Sequence, residues 1–192
     1  MINFTGKYIS SSTIYKQTNN GKYKRTKVAV VELSPKSNKD LQFLENTTNL
    51  WRSSLVHEII ADKISLNAQV EHDNDVKTSI QDSYQTKFYA VTRQRGHYDK
   101  LKPERALALA EISLITDDLL ELDLCQVEPN CEHGVKNRKY NRIGTALINF
   151  IKKEFNKHAI ILTSLDGVKG FYKALGFESI SSDDSRWMFR RN

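Results

Sequence analysis

The sequence predicts an α/β protein of the α+β type, with helices packed on a central β-sheet. Apolar and polar residues alternate, as in half-buried strands, in residues 87–92, 105–115 and 119–127. Apolar residues recur at helical spacing, as in amphipathic helices, in residues 38–51, 54–66 and 143–157. The polar residues 71–81 are predicted to form a loop. Toward the C-terminus we expect strands at 159–163 and 186–190 and a helix at 167–175.

The N-terminal part of the chain is predicted to form a β-hairpin. Strand-like residues 13–17 and 22–33 flank Asn19-Asn20-Gly21, and Asn and Gly readily adopt the positive φ angles of tight hairpin turns. Residues 27–33 are expected to be the first strand of the core. We therefore divide the chain into an N-terminal hairpin-like extension, residues 1–26, packed on a domain of residues 27–192.

Length and composition indicate a folded protein. A chain of 192 residues with 39% hydrophobic content is long enough for one domain with a sizeable core. No apolar run approaches the length of a membrane span, and the N-terminus does not begin as a secretion leader. We therefore expect a cytoplasmic protein that has no membrane partner.

The two cysteines, Cys125 and Cys131, are interpreted as reduced thiols, since a secreted disulfide domain normally carries more. With His133 they form a Cys-x5-Cys-x-His cluster. Zinc sites usually contain a closely spaced pair of cysteines or histidines, which this cluster lacks. No metal is therefore expected.

The net charge is +6, and basic residues concentrate in residues 16–27 and 136–142. Such patches suit nucleic acid, but a solvated surface or a polyanionic cofactor accounts for them equally well. RNA therefore stays open as an acceptor.

Two motifs carry the functional prediction. The first opens a helix and reads Asn141-Arg142-Ile143-Gly144-Thr145-Ala146-Leu147. Small residues there let backbone amides gather at a helix N-terminus, which favours an anion such as a pyrophosphate. The second, on a later helix, reads Gly170-Phe171-Tyr172-Lys173-Ala174-Leu175-Gly176-Phe177.

In this order, separated by a short helix and strand, the motifs resemble those of the GNAT family of acetyl-CoA-dependent N-acetyltransferases. The positions that match are Gly144, Ala146, Tyr172, Gly176 and Phe177. Asn141 stands where the family usually has Gln or Arg. The resemblance covers roughly residues 27–192, and it implies a twisted, mixed and mostly antiparallel sheet. It also implies acetyl-CoA as co-substrate and direct attack of an amine on the thioester.

The resemblance assigns the cofactor-binding residues. The pyrophosphate would lie on Asn141, Arg142, Ile143, Gly144, Thr145 and Ala146. In the family, the strand equivalent to residues 119–127 has a bulge near its end and splays from the next strand. The slot thus opened would hold the pantetheine arm along Cys125, Gln126 and Val127.

Two catalytic residues are predicted. Strict alternation places Glu121, Asp123, Cys125 and Val127 on one face of their strand. An alkylammonium has a pKa near ~10, so a general base helps at neutral pH. Glu121 is the first choice, because its Glu-x-x-x-Cys-x-Val stretch resembles the base-bearing strand of histone acetyltransferases in the family. The alternatives for the base are Glu111 and Asp123.

Tyr172 would donate a proton or hydrogen bond to the departing CoA thiolate. Its alternative role is to pack beside Phe171 and Phe177. The acceptor is predicted to be an amine on a small molecule, on a peptide or on a tRNA-linked amino acid. A homodimer is kept as a candidate assembly. Two alternative functions stay open, namely a toxin-like enzyme that acetylates aminoacyl-tRNA and a non-catalytic module that binds CoA or a protein.

Overall fold

The computed structural model describes residues 6–52, 85–132, 135–136 and 138–191. Its strands are β1 (Lys7–Gln17), β2 (Tyr23–Leu33), β3 (Gln85–Thr92), β4 (Ala106–Thr116), β5 (Leu119–Val127), β6 (Tyr140–Asn141), β7 (Ala159–Thr163), β8 (Glu178–Ser179) and β9 (Arg186–Phe189). Its α-helices are α1 (Asn38–Trp51), α2 (Ile143–Glu154) and α3 (Lys169–Ala174). The predicted helix 54–66 and loop 71–81 lie outside the described residues.

The described strands form one sheet in the order β6-β1-β2-β3-β4-β5-β7-β9-β8. Strands β5 and β7 pair in parallel, and every other described pair is antiparallel. Parallel neighbours require a crossover connection, which α2 provides between β5 and β7. The predicted mixed, mostly antiparallel sheet is therefore confirmed.

Apolar side chains are buried on both faces of the sheet. One face, called here the α2 face, carries a core to which α2 and α3 contribute Leu147, Ile151 and Tyr172. The opposite face, the α1 face, carries a core that includes Leu41 and Leu44 of α1. Strand residues therefore belong to one core or the other according to the direction of their side chains.

The N-terminal hairpin is present. Strands β1 and β2 pair from Lys7 opposite Glu32 to Gln17 opposite Tyr23, and Gly21 in the turn has a φ of 78°. Strand β1 is longer than predicted, because pairing with β2 extends strand structure through a serine-rich stretch of low β-propensity. Strand β2 is continuous across residue 26, and its inner half pairs with β3. The division of the chain at that residue stays a prediction.

Several predicted boundaries shift by a few residues. Helix α2 ends at Glu154 rather than at residue 157, and α3 covers 169–174 rather than 167–175. The two-residue strands β6 and β8 were not predicted, because two residues are too short to show a periodicity. No described helix combines the length and apolar character needed to cross a bilayer.

The buried carboxyl group of Asp40 joins three parts of the fold. Its oxygens accept hydrogen bonds from the backbone N–H groups of Gly6 and Ser34, both at 2.9 Å. Its own N–H donates to the Ser37 side chain, which caps α1. Burial raises the pKa of Asp40 above its ordinary value of 3.8, against the opposing effect of these hydrogen bonds.

We expect Asp40→Asn to lower the free energy of unfolding by about 1–3 kcal/mol, since an amide offers one acceptor where the carboxylate offers two. A raised folded-state pKa stabilises the wild type below pH 3.8, and this contribution is lost as the pH rises through the raised value. The difference between wild type and variant should therefore shrink as the pH rises. Urea unfolding across pH measures it, with the exposed Asp99→Asn as control; equal effects of the two variants would contradict the role of Asp40.

Candidate functional site

Strand β5 contains a bulge at Asp123. Leu122 lies opposite Ile112 of β4, whereas Leu124 lies opposite Glu111, so two neighbouring residues of β4 face residues of β5 that are two apart. A bulge bends its strand and increases the local twist. The bulge predicted near the end of this strand is therefore present.

The bulge changes which side chains share a face. Leu120 and Leu122 lie in the core of the α2 face, so Glu121 between them points to the α1 face. After the bulge, Cys125 and Val127 pack against the core of the α2 face. The prediction that Glu121 shares a face with Cys125 and Val127 was wrong, because the extra residue reverses the alternation.

Strands β5 and β7 are paired only before the bulge. Their parallel register runs from Leu119 opposite Ala159 to Leu122 opposite Leu162. Strand β5 remains paired with β4 as far as Val127, opposite Ala108. The end of β5 therefore presents an edge to the side of β7 without continuing the ladder, and such an edge offers backbone donors and acceptors to an extended ligand.

Helix α2 begins directly beside this edge. Arg142 precedes it in the left-handed conformation, with φ 61° and ψ 27°. The first bond of the helix joins the N–H of Ala146 to the carbonyl oxygen of Arg142, at 3.0 Å. The N–H groups of Ile143, Gly144 and Thr145 lie before that bond, where helix geometry supplies no intrahelical acceptor. This helix start therefore has the polarity that favours an anion.

Gly144 is the point where three elements meet. A Cβ atom at this position would lie 3.2 Å from Cζ of Phe171 in α3 and 3.5 Å from Cγ2 of Val127 in β5. The absence of a side chain therefore lets α2, α3 and β5 approach closely. This contact places the helix start next to the free-standing end of β5.

Tyr172 lies on the same face as this junction. Its side chain is buried, and its ring packs edge-to-face against Phe171 and Phe177, with centroid distances of 5.1 and 5.7 Å. Burial raises the pKa of Tyr172 well above its ordinary value of 10.0, and the nearby Cys125 raises it further. The hydroxyl group therefore stays protonated at neutral and mildly alkaline pH, as a hydrogen-bond donor.

Neither cysteine has the properties of a nucleophile. Burial raises the pKa of the Cys125 thiol to about 12. Burial also raises the pKa of Cys131 to about 12, helped by Glu128, whose Oε2 lies 3.0 Å from its sulfur. Both thiols are free. Nucleophilic cysteines need a stabilised thiolate, so these neutral thiols serve packing.

The carboxylates considered as bases lie on the α1 face. Glu121 is partly exposed, and its Oε1 lies 3.9 Å from Nη2 of Arg186. Asp123 accepts a hydrogen bond of 2.6 Å from the Ser113 hydroxyl. Glu111 is buried, and its neighbours in β4 on both sides belong to the α2-face core. The sheet therefore separates these three carboxylates from Tyr172.

Two supports of the site were not predicted. The Lys152 ammonium donates to the carbonyl oxygen of Leu175 at 2.8 Å and lies 3.6 Å from the centre of the Phe189 ring, which ties α2 to the chain after α3. Arg142 lies over the Tyr15 ring, 5.1 Å from its centre, and Tyr15 pairs with Asn141 between β1 and β6. No local pattern marks these residues, because each resembles an ordinary surface position.

No cluster of three or more His, Cys, Asp or Glu side chains suited to a metal occurs in the described part of the chain. His133, a member of the Cys-x5-Cys-x-His cluster, lies outside that part.

Comparison with known proteins shows similarity at the level of the fold. No family model and no curated protein matches the sequence. A GNAT-family acetyltransferase structure from Desulfovibrio desulfuricans matches with a TM-score of 0.50 and 11% identity, over 84% of this chain and 99% of that chain. A GNAT-family structure from Staphylococcus aureus matches with a TM-score of 0.50 and 14% identity, over 84% and 97%.

Proposed function

We propose that this chain, which has the fold of the GNAT acetyltransferases, is an acetyl-CoA-dependent N-acetyltransferase. The observation that carries the proposal is the junction at Gly144, where an anion-favouring helix start lies against the end of β5 and beside Tyr172. An extended ligand with an anionic middle and a reactive end suits this sequence of features. The acceptor is an amine that attacks the thioester directly.

The residues at the junction fit the co-substrate. A side chain at Gly144 would occupy the space between Phe171 and Val127, so the backbone stays open to a bulky anion. In the proposal, the pyrophosphate binds the helix start, formed by Asn141, Arg142, Ile143, Gly144, Thr145 and Ala146. The pantetheine arm lies along Cys125, Gln126 and Val127 of β5. Acetyl-CoA supplies an acetyl group activated as a thioester.

Tyr172 is the proposed proton donor. Its raised pKa keeps the phenol protonated, and the influence of Cys125 on that pKa shows that the hydroxyl group lies close to the end of β5. A donor here can hydrogen-bond to a developing thiolate and then protonate it.

Glu121 is the proposed general base. It lies on the opposite face from Tyr172, close to the last paired residues of β5 and β7. A proton can therefore leave the amine on the α1 face while another is delivered to sulfur on the α2 face. The Arg186 guanidinium neutralises Glu121 between turnovers. Glu111, Asp123 and an ordered water are the alternatives for the base.

A second candidate function is acetylation of an amino acid linked to tRNA. The net charge of +6 and the basic residues on the hairpin support it. The acceptor can be identified by measuring thiol release from acetyl-CoA with polyamines, amino acids, aminoglycosides, peptides and charged tRNA. Binding of acetyl-CoA without thiol release for any acceptor would instead support a non-catalytic module.

Gly144→Glu should weaken acetyl-CoA binding by at least about tenfold, because it adds a side chain and a negative charge where the pyrophosphate is proposed to bind. Calorimetry measures the dissociation constant. The control is Gly170→Glu, since a Cβ at Gly170 meets nothing within 4 Å. Equal affinity of the two variants and the wild type would contradict the proposed cradle.

Tyr172→Phe should lower kcat by about a hundredfold while the dissociation constant for CoA stays unchanged, because one hydroxyl is lost with little volume. Tyr89→Phe is the matched control, since Tyr89 is also buried in the α2-face core. Because the pKa of Tyr172 is raised above 10, its ionisation should not reduce the wild-type rate near pH 10. Full turnover of Tyr172→Phe at every pH would leave Tyr172 a packing role only.

Glu121→Gln should reduce the rate most at low pH, where the acceptor amine is largely protonated. The deficit should shrink as the pH rises, because more of the amine then arrives neutral. Steady-state rates across pH test this, with the exposed Glu45→Gln as control. A profile parallel to that of the wild type would exclude Glu121 and point to Glu111, Asp123 or water.

A further inference from the structure

The outer half of the β1–β2 hairpin carries basic residues without acidic ones. Residues 1–31 contain no aspartate or glutamate, and their basic residues are Lys7, Lys16, Lys22, Lys24, Arg25 and Lys27. We call the exposed side chains of Lys16, Lys22, Tyr23, Lys24 and Arg25 the basic hairpin surface. Uncompensated positive charge of this kind attracts polyanions.

A second acid-free segment lies beside the hairpin. Residues 133–153 contain no aspartate or glutamate. The N–H of Gln17 donates to the carbonyl oxygen of Lys139 at 2.8 Å, and the Tyr23 hydroxyl contacts that of Arg138 at 3.5 Å. The fold therefore joins two basic stretches, distant in sequence, at one edge of the sheet.

The hairpin retains a repulsive pair. Lys16 lies directly opposite Lys24 in the β1–β2 register, so their side chains share a face. Like charges directly opposite on antiparallel strands are destabilising. Among the described residues, neither lysine has an acidic partner within ion-pair distance. A bound anion would relieve this repulsion.

Aromatic and polar groups interleave with the positive charges. The Tyr23 side chain is 42% exposed, and Arg142 lies over the ring of Tyr15. Exposed rings among basic residues are the means by which proteins stack the bases of single-stranded nucleic acids. The turn at residues 18–21 is Thr-Asn-Asn-Gly, which provides no apolar side chain for insertion into a lipid bilayer.

We propose that the basic hairpin surface binds a single-stranded nucleic acid, with lysines on its phosphates and Tyr23 stacked on a base. This inference goes beyond the proposed acetyl transfer and does not depend on it. Because β1 also pairs with β6 immediately before α2, a strand bound here lies next to the proposed cofactor cradle while using different residues.

The test uses the full chain and labelled 20-nucleotide strands of polyuridine RNA and polythymidine DNA, with binding followed by fluorescence anisotropy. Lys16→Glu/Lys24→Glu should weaken binding by about tenfold or more at 0.1 M salt and should flatten the salt dependence by about 0.7 per lost phosphate contact. The control with the same change in net charge is Lys153→Glu/Lys157→Glu, at the far end of α2, which should bind as the wild type does.

A single Lys16→Glu separates binding from folding. It places a negative charge opposite Lys24, so thermal stability should rise while affinity falls. A preference for the RNA or the DNA strand would identify the natural ligand.

Three results would overturn the inference. The first is an absence of binding to both strands, including the case in which the protein binds polyglutamate instead, as expected for an acidic protein partner. The second is equal loss in the control double variant, which would reduce the effect to net charge. The third is displacement of the strands by saturating acetyl-CoA, which would assign the surface to the cofactor.

Discussion

Strand β5 pairs with β7 only as far as Leu122, and the bulge at Asp123 follows at once. The rest of the site depends on this interruption. An unbroken parallel ladder would use the backbone groups at the end of β5 and would keep Cys125 and Val127 on the α1 face. With the bulge, the end of β5 is paired on one side only, and its side chains meet α2 and α3.

The core of the α2 face holds this end of β5 against the helix start. Gly144 allows Phe171 and Val127 to approach α2, and Lys152 fixes the other end of the helix to the carbonyl oxygen of Leu175. The hairpin contributes as well, since Tyr15 pairs with Asn141 just before α2 begins. The helix start is thereby positioned from three directions, which suits a site that must bind an anion without rearrangement.

Charge is distributed unevenly over the sheet. The carboxylates of Glu111, Glu121 and Asp123 lie on the α1 face near β4 and β5. Positive charge concentrates at the opposite edge, on the hairpin and around Arg142. A carboxylate-lined face suits a protonated amine, whereas a basic edge suits phosphate groups. The fold therefore offers surfaces of opposite sign to two ligands of opposite charge.

Much of this fold follows from local sequence pattern. Alternation marked β4 and β5, the apolar run of residues 159–163 became β7 with unchanged boundaries, and helical spacing marked α1 and the start of α2. The motif around Gly144 was also visible, because a helix start with small residues is a local feature.

Tertiary structure alone decided how these parts face one another. The bulge at Asp123 is a property of the register between two strands, so counting along one strand assigned Glu121 and Cys125 to the same face. The close approach at Gly144 depends on Phe171, which comes from a later helix. The sequence by itself therefore determined which segments are helices and strands, because periodicity is encoded within each segment. The faces and neighbours of the site residues arose only from pairing and packing between segments distant in the chain.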